Sequence, residues 1–333
     1  MKKLIIGLFF ITLIMGLMLI WQDRTHIYGI EIKKGLYNSH YPVTISTFDS
    51  SGNPVEVVFE ESPKRVVADR TNNVESLLAL GLEDKMIYAS MRQGNISYDD
   101  MVRKYGEKLT SLNGINDIET SLEYIVALQP DCILGWKSTF SPKRWGTTEW
   151  WKQRGVKTYI TGNSNHILEE GQIEDECKYL SDIGKIFNVE YKTDKMIEEI
   201  EQELSRVKEK TKDKTVQKTM VIELSGRNII NYDQGWLVGD MIKKLGAEIP
   251  VKSRTIGIED MIHYNPDVVF IIYLQDNQKS IIEEFSNKTE LQNVKAFKNK
   301  RIYLLPLDYV YASGVKTIEG VRMIKKGLYP DMN

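Results

Sequence analysis

Two segments of this 333-residue chain carry one pattern twice, and that pattern restricts the fold more than any other feature. Residues 121–134 read Ser-Leu-Glu123-Tyr-Ile-Val-Ala-Leu-Gln-Pro130-Asp131-Cys-Ile-Leu. Residues 257–270 read Gly-Ile-Glu259-Asp-Met-Ile-His-Tyr-Asn-Pro266-Asp267-Val-Val-Phe. Glu123 and Glu259 are 136 positions apart, and so are Pro130 and Pro266. In each copy a short helix stops before the proline, which pre-sets a loop, and a buried strand follows. A register held across the whole segment points to structurally equivalent positions in two βα lobes.

The surrounding sequence extends this reading. Short apolar runs bounded by turn residues alternate with helical periodicity, which predicts an α/β fold with mostly parallel sheets. Ahead of them, residues 43–48 and 55–59 flank Ser51-Gly52-Asn53-Pro54 and predict a β-hairpin. The first lobe should hold strands at 65–68, 86–89, 132–136 and 158–160, with helices at 73–80, 122–128 and 148–154. The second should hold strands at 219–224, 268–273 and 301–305, with helices at 236–245 and 318–326. Between them, residues 173–212 show helical spacing with no proline and no glycine after Gly184. One unbroken helix of that length would reach about 60 Å, so a break is expected near Asn188.

After Met1-Lys2-Lys3 comes an apolar run, residues 4–21, broken only by glycines and Thr12. As a helix it would span about 27 Å, near the lower limit for crossing a bilayer. It ends Met-Leu-Ile-Trp-Gln-Asp-Arg, without an Ala-x-Ala-like cleavage site. An uncleaved anchor is therefore expected, a cleaved signal being the alternative, with the rest of the chain outside the cytoplasm. The expected division is 1–21 anchor or signal, 22–40 stalk, 41–172 N-terminal lobe, 173–212 connecting long helix, and 213–333 C-terminal lobe.

Composition closes off several functions. With 44 Lys+Arg against 46 Asp+Glu, the chain lacks the basic excess of a nucleic-acid binder. Two cysteines, Cys132 and Cys177, make neither a disulfide scaffold nor a zinc site. Of four histidines, His26 and His40 precede the globular part, leaving His166 and His263, too few for a multi-histidine metal centre. No nucleophile elbow, phosphate loop or zinc motif occurs, so no enzyme activity is expected. Asp131 and Asp267 should order turns, and Cys132 should be a core residue.

The chain resembles the solute-binding proteins of ABC importers, specifically the helix-hinged class for ferric siderophores, haem and cobalamin. The resemblance rests on Ser62-Pro63-Lys64-Arg65-Val66-Val67, Glu75-Ser-Leu-Leu-Ala-Leu-Gly81, the Glu123…Pro130-Asp131 block, Gly184-Lys185-Ile186-Phe187 and Tyr311-Ala312-Ser313-Gly314. It covers roughly residues 41 to 330. Gram-positive members usually carry a lipobox cysteine, which this chain lacks; the run at 4–21 would replace it. The resemblance implies capture and delivery of a ferric siderophore to a permease, with iron present only inside the bound chelate and no resident cofactor. Haem, cobalamin, or a membrane-tethered sensor role on the same fold are the alternatives. It also implies that Glu123 and Glu259 dock into arginine pockets of the permease. A monomer is expected.

Ligands of open α/β sheets bind beyond the carboxyl ends of the strands. The loops there are 69–72, 91–93, 136–140 and 162–165 in the first lobe, and 225–228, 274–276 and 308–311 in the second. They are rich in arginine, whose planar fork suits oxyanions, and in aromatics, which can cover flat ligand surface. The candidate ligand contacts are Arg70, Arg92, Trp136, Arg144, Arg227, Trp236, Arg254, Tyr309 and Tyr311, with Trp145 a further aromatic of the same kind. Met91, His166 and Tyr309 are the residues a haem iron would look to for an axial donor; Met91 and His166 read more simply as packing and solvent-facing loop residues.

Overall fold

The computed structural model describes residues 40–91, 96–115, 120–275 and 278–332. The hairpin is present as strands Val43–Phe48 (β1) and Pro54–Phe59 (β2). Its turn is tied by Asp49, whose carboxylate accepts the backbone N–H groups of Ser51 and Asn53 at 2.8 and 2.9 Å.

The first βα series runs Val66–Asp69 (β3), Thr71–Leu80 (α1), Met86–Ser90 (β4), Ile96–Tyr105 (α2), Leu122–Ala127 (α3), Cys132–Gly135 (β5), Thr148–Lys152 (α4) and Lys157–Ile160 (β6). The strands form one sheet in the order β4-β3-β5-β6, parallel at every pairing. β3 and β5 are buried along their full length, as central strands covered on both faces must be. Trp145 and Trp151 are buried at 0% and 1% exposure. Each indole satisfies its N–H on a carbonyl, Trp145 on Thr120 at 2.9 Å and Trp151 on Trp145 at 2.6 Å. Trp145 is thus a core residue and unavailable to a ligand, a correction to its reading as a possible ligand-covering ring.

The long helical stretch is two helices, Ile173–Phe187 (α5) and Glu190–Thr211 (α6), broken at Asn188 in the left-handed conformation, φ 55°. Gly184 makes the close return possible: a Cβ there would collide with the Thr193 hydroxyl.

The second series runs Gln217–Ser225 (β7), Asn228–Asn231 (β8), Leu237–Lys244 (α7), Ala247–Glu248 (β9), Thr255–Ile256 (β10), Ile258–Tyr264 (α8), Val268–Tyr273 (β11), Gln278–Ser286 (α9), Ile302–Pro306 (β12) and Thr317–Leu328 (α10). The order is β10-β8-β7-β11-β12, with β9 beside β7. β7, β9, β11 and β12 are parallel, whereas β8 and β10 are antiparallel additions. The sequence predicts none of β8, β9 and β10, which at two to four residues are too short to show alternation. α10 also continues through Gly327 instead of stopping there, because the missing Cβ leaves room for the Phe270 ring.

The repeated Pro-Asp has one structural job in both sheets. The Asp131 carboxylate accepts the N–H groups of Lys64 and Arg65 at 2.7 and 3.0 Å, fixing the start of β3. The Asp267 carboxylate accepts the Lys218 N–H at 3.0 Å, fixing the start of β7. These are turn-ordering aspartates, as expected. The apolar run 4–21 and residues 22–39 of the stalk lie outside the described residues, and no helix among the described residues is long and apolar enough to cross a membrane.

Candidate ligand-binding cleft

The carboxyl ends of β3, β4 and β5 from one sheet and of β11 and β12 from the other converge on a single cavity of about 520 Å³. That volume lies within the range of small-molecule sites, about 300–1,000 Å³. Asp69 ends β3 and Arg70 to Asn72 follow it, Ser90 ends β4 with Met91 next to it, and Trp136 follows β5. From the second sheet come Leu274, Leu307, Asp308, Tyr311 and Ala312, and Arg144 completes the lining.

Arg70 joins β3 to α1 with φ 78° and ψ 148°, a region that residues other than glycine rarely occupy and that costs about 1–3 kcal/mol. Its N–H donates to the Ser90 carbonyl at 2.9 Å, which keeps the backbone there. The strain aims its side chain along the cavity wall. The guanidinium sits over the Trp136 ring, 5.1 Å from the centroid, and donates to the Ser138 hydroxyl at 3.2 Å.

Asp69 changes the charge of the site. Its carboxylate, 1% exposed, receives both terminal nitrogens of Arg144 at 2.6 and 2.8 Å, together with the Thr139 hydroxyl. Arg70 Nε is 3.3 Å away. The fork of Arg144 is thereby committed to Asp69, and one carboxylate stands against two guanidiniums.

Aromatic rings cross the cleft in a chain. Trp136, held by its indole N–H on the Asn72 side-chain oxygen at 2.9 Å, meets Tyr311 edge-on at 5.6 Å. Tyr311 meets Trp236 at 5.9 Å, and Trp236 in turn touches Tyr232 and His166 at 4.7 and 4.6 Å. Arg254 lies over Trp236 at 5.3 Å. The chain therefore begins under one guanidinium and ends under another. Tyr311 takes a hydrogen bond on its hydroxyl from the Asn165 N–H at 3.0 Å, and burial pushes its phenol above the ordinary value.

The structure gathers Arg70, Trp136, Arg144 and Tyr311 at the cavity, and Trp236 and Arg254 at the far end of the aromatic chain. It does not bring Arg227 there: that residue occupies the exposed tip of the β7–β8 hairpin, where the sequence predicts an ordinary βα loop. Tyr309 points away as well, donating its hydroxyl to Asp100 of α2 at 3.2 Å, and burial raises its phenol well above normal. Arg92 lies outside the described residues. Met91 is 2% exposed and forms part of the wall. His166 and His263 are exposed, and Cys132 is fully buried, its thiol pushed up by burial. Among the described residues no three His, Cys, Asp or Glu side chains are grouped to hold a metal. Asp69 and Asn72, which set the charge and the indole orientation, were within a loop identified from sequence, but a partner 75 residues away leaves no signal in local spacing.

Glu123 and Glu259 are both exposed in the first turns of α3 and α8. Glu123 is held below the ordinary carboxylate value by its own backbone N–H and the Ser121 hydroxyl. A helix that leads into a parallel strand begins at the edge where the strands end, so both glutamates lie on the cleft side of their sheets.

Four similarities bear on identity. A family model described as periplasmic binding protein matches residues 66–309. An uncharacterized ABC transporter substrate-binding lipoprotein, YvrC of Bacillus subtilis, is 26% identical over 298 residues, 87% of each chain. A vitamin B12-binding protein of Vibrio parahaemolyticus is 23% identical over 295 residues, 85% of this chain and 92% of that one. The crystal structure of a periplasmic binding protein from Veillonella parvula superposes with a TM-score of 0.79 at 30% identity, covering 87% of this chain and 92% of that one. Two parallel-sheet βα series whose strand ends meet at one cavity, under a family model that spans most of the chain, lead to one conclusion: the chain belongs to the periplasmic binding protein family, whose members bind a substrate and do not transform it.

Proposed function

We propose that this chain is the extracytoplasmic substrate-binding component of an ABC importer, tethered by residues 4–21, that captures a ferric siderophore of low net charge between two lobes. The observation that carries the reading is the aromatic chain Trp136–Tyr311–Trp236 with Arg70 and Arg254 at its ends. Such rings cover broad organic surface, and flanking guanidiniums favour oxygen-rich groups. Arg70, Arg144 and Arg254 against Asp69 and Asp308 leave a small positive excess. That balance suits a hydroxamate or carboxylate chelate better than a highly anionic triscatecholate. Delivery would use Glu123 and Glu259, one acidic contact per lobe.

A corrinoid is the second reading. It is favoured by the charge compensation at Asp69, which leaves a site suited to a large ligand of little net charge, and by the vitamin B12-binding relatives. Tryptophan-quenching titrations with a ferric trihydroxamate, a ferric triscatecholate, haem and cyanocobalamin test both. Saturable quenching by the trihydroxamate, weakened in Trp136→Phe and Trp236→Phe, is the expected result. Quenching by cyanocobalamin alone transfers the assignment to corrinoids, and no response to any probe removes the chelate reading.

A further inference from the structure

We infer that Glu176 is a positioning residue of the cleft: its buried carboxylate holds the turn that carries Tyr311 and Ala312 into the cavity, and its protonation state sets how firmly. The inference rests on the cavity being the ligand site. Glu176 lies in the first turn of α5, fully buried, and is not among the residues that line the cavity. One carboxylate oxygen accepts the Gly314 N–H at 2.6 Å and the other accepts the Asn163 side-chain amide at 2.9 Å. Asn163 follows β6, the last strand of the first sheet, and Gly314 follows β12, the last strand of the second. A single carboxylate therefore joins both sheets' final loops to the intervening helix. Gly314 takes φ 54°, and a Cβ there would press on Ser76 and Tyr179, so the turn has little room to shift.

The turn has a second tether, Lys316 to Glu75 at 2.8 Å, both buried. There a cation answers the carboxylate. The partners of Glu176 are neutral N–H donors, and the titratable groups around it are Asp175, Cys177 and Tyr179 on its own helix and Tyr159 of β6, while the turn presents the backbone of Ser313 and Gly314. Burial raises Glu176 to about 7, with hydrogen bonds from Asn163 and from the Gly314 and Ser313 backbone, and the charge of Asp175, as smaller influences. A proton on Glu176 also has somewhere to point. The Asn163 side-chain oxygen is buried without a partner among the described residues, and a turned-over amide would accept it, giving up the bond that its nitrogen donates to the Gln172 carbonyl at 3.1 Å. The neutral acid holds Gly314 less strongly, since a charge-assisted hydrogen bond is roughly twice as strong as a neutral one.

The test compares the full-length protein with Glu176→Gln, which is isosteric and uncharged, both in a His166→Gln background so that the imidazole touching Trp236 contributes nothing to the emission readout. Two readouts are taken between pH 8 and pH 6: affinity for the ferric trihydroxamate and for cyanocobalamin, and tryptophan emission without ligand. Expected are an affinity about tenfold lower at pH 6 and an emission change with the same midpoint, both absent in Glu176→Gln, whose affinity stays at the acid value. Glu176→Gln matching the parent in affinity and in both pH profiles overturns the inference, and so does a flat parent profile. Should neither probe bind, an emission transition lost in Glu176→Gln still supports the positioning role while removing the chelate reading. Absence of that transition removes the positioning role.

Discussion

Arg70 is the residue at which fold and function pull in opposite directions. Its backbone is held at φ 78° although its side chain is large, a conformation that only glycine adopts without penalty. Arg70→Ala and Arg70→Gly both remove the guanidinium from Trp136, and both should weaken chelate binding by about 1.5–3 kcal/mol if it contacts a charged ligand group. They differ in stability. Arg70→Gly should melt higher than Arg70→Ala by the equivalent of about 1 kcal/mol, because only alanine keeps the strain. Equal melting temperatures would show that the backbone relaxes once the side chain is gone. Beside it, Asp69→Asn strands Arg144 without its carboxylate, and loss of one partner from a buried pair costs about 3–5 kcal/mol. Denaturant unfolding should detect a loss of that order, while Arg144→Met should cost no more. At this scale the sequence was half legible. Arg70, Trp136 and Tyr311 stood out because they follow strands; Asp69 did not, because its role depends on Arg144 arriving from a distant loop.

At the scale of elements, the Pro-Asp repeat was the most informative part of the sequence because one local geometry had to be built twice. Asp131→Ala and Asp267→Ala each remove a carboxylate that accepts strand N–H groups. Each should cost about 1–2 kcal/mol of stability, add in the double mutant because the pins lie in different sheets, and leave ligand affinity unchanged. A loss of affinity would place them in the site after all. The helices ahead of these aspartates carry a second shared feature. Val126 and Ile262, one turn beyond Glu123 and Glu259 and again 136 positions apart, are 39% and 48% exposed. An acidic residue with an apolar neighbour on each lobe suits a permease presenting paired basic groups beside apolar sockets. In cells taking up the chelate, the double change of Glu123 and Glu259 to arginine should abolish uptake, and Val126→Ser with Ile262→Ser should reduce it. Both should leave the affinity of the purified protein intact. Normal uptake in the double-arginine variant would sink the docking role. What the sequence could not reveal at this scale was β8, β9 and β10, two to four residues long and held by neighbouring strands more than by their own alternation.

For the whole molecule, the buried carboxylates set how stability varies with pH. Burial raises Glu75, Glu176 and Asp182 above their ordinary values, Glu176 to about 7. A carboxyl raised in the folded state keeps a proton that the unfolded chain has released. Its contribution is complete below the ordinary value near 4.5 and is lost as pH climbs through the raised value. For Glu176 the full swing is on the order of 3 kcal/mol. Glu203 works in the other direction: although burial opposes it, Lys325 and Arg206 hold it below 4.5, and its contribution fades only as pH falls further. The two windows do not overlap, so unliganded protein should be most stable near pH 5 and should lose several degrees of melting temperature between pH 5.5 and 7.5. Glu176→Gln should flatten most of that decline. Ligand affinity should follow the opposite course over the same interval, because the ionised carboxylate that weakens the fold is the one that holds Gly314 and the Tyr311 wall. A melting temperature that rises from pH 5.5 to 7.5, or a decline untouched by Glu176→Gln, would mean that Glu176 is ionised throughout and that its loop is not under protonic control.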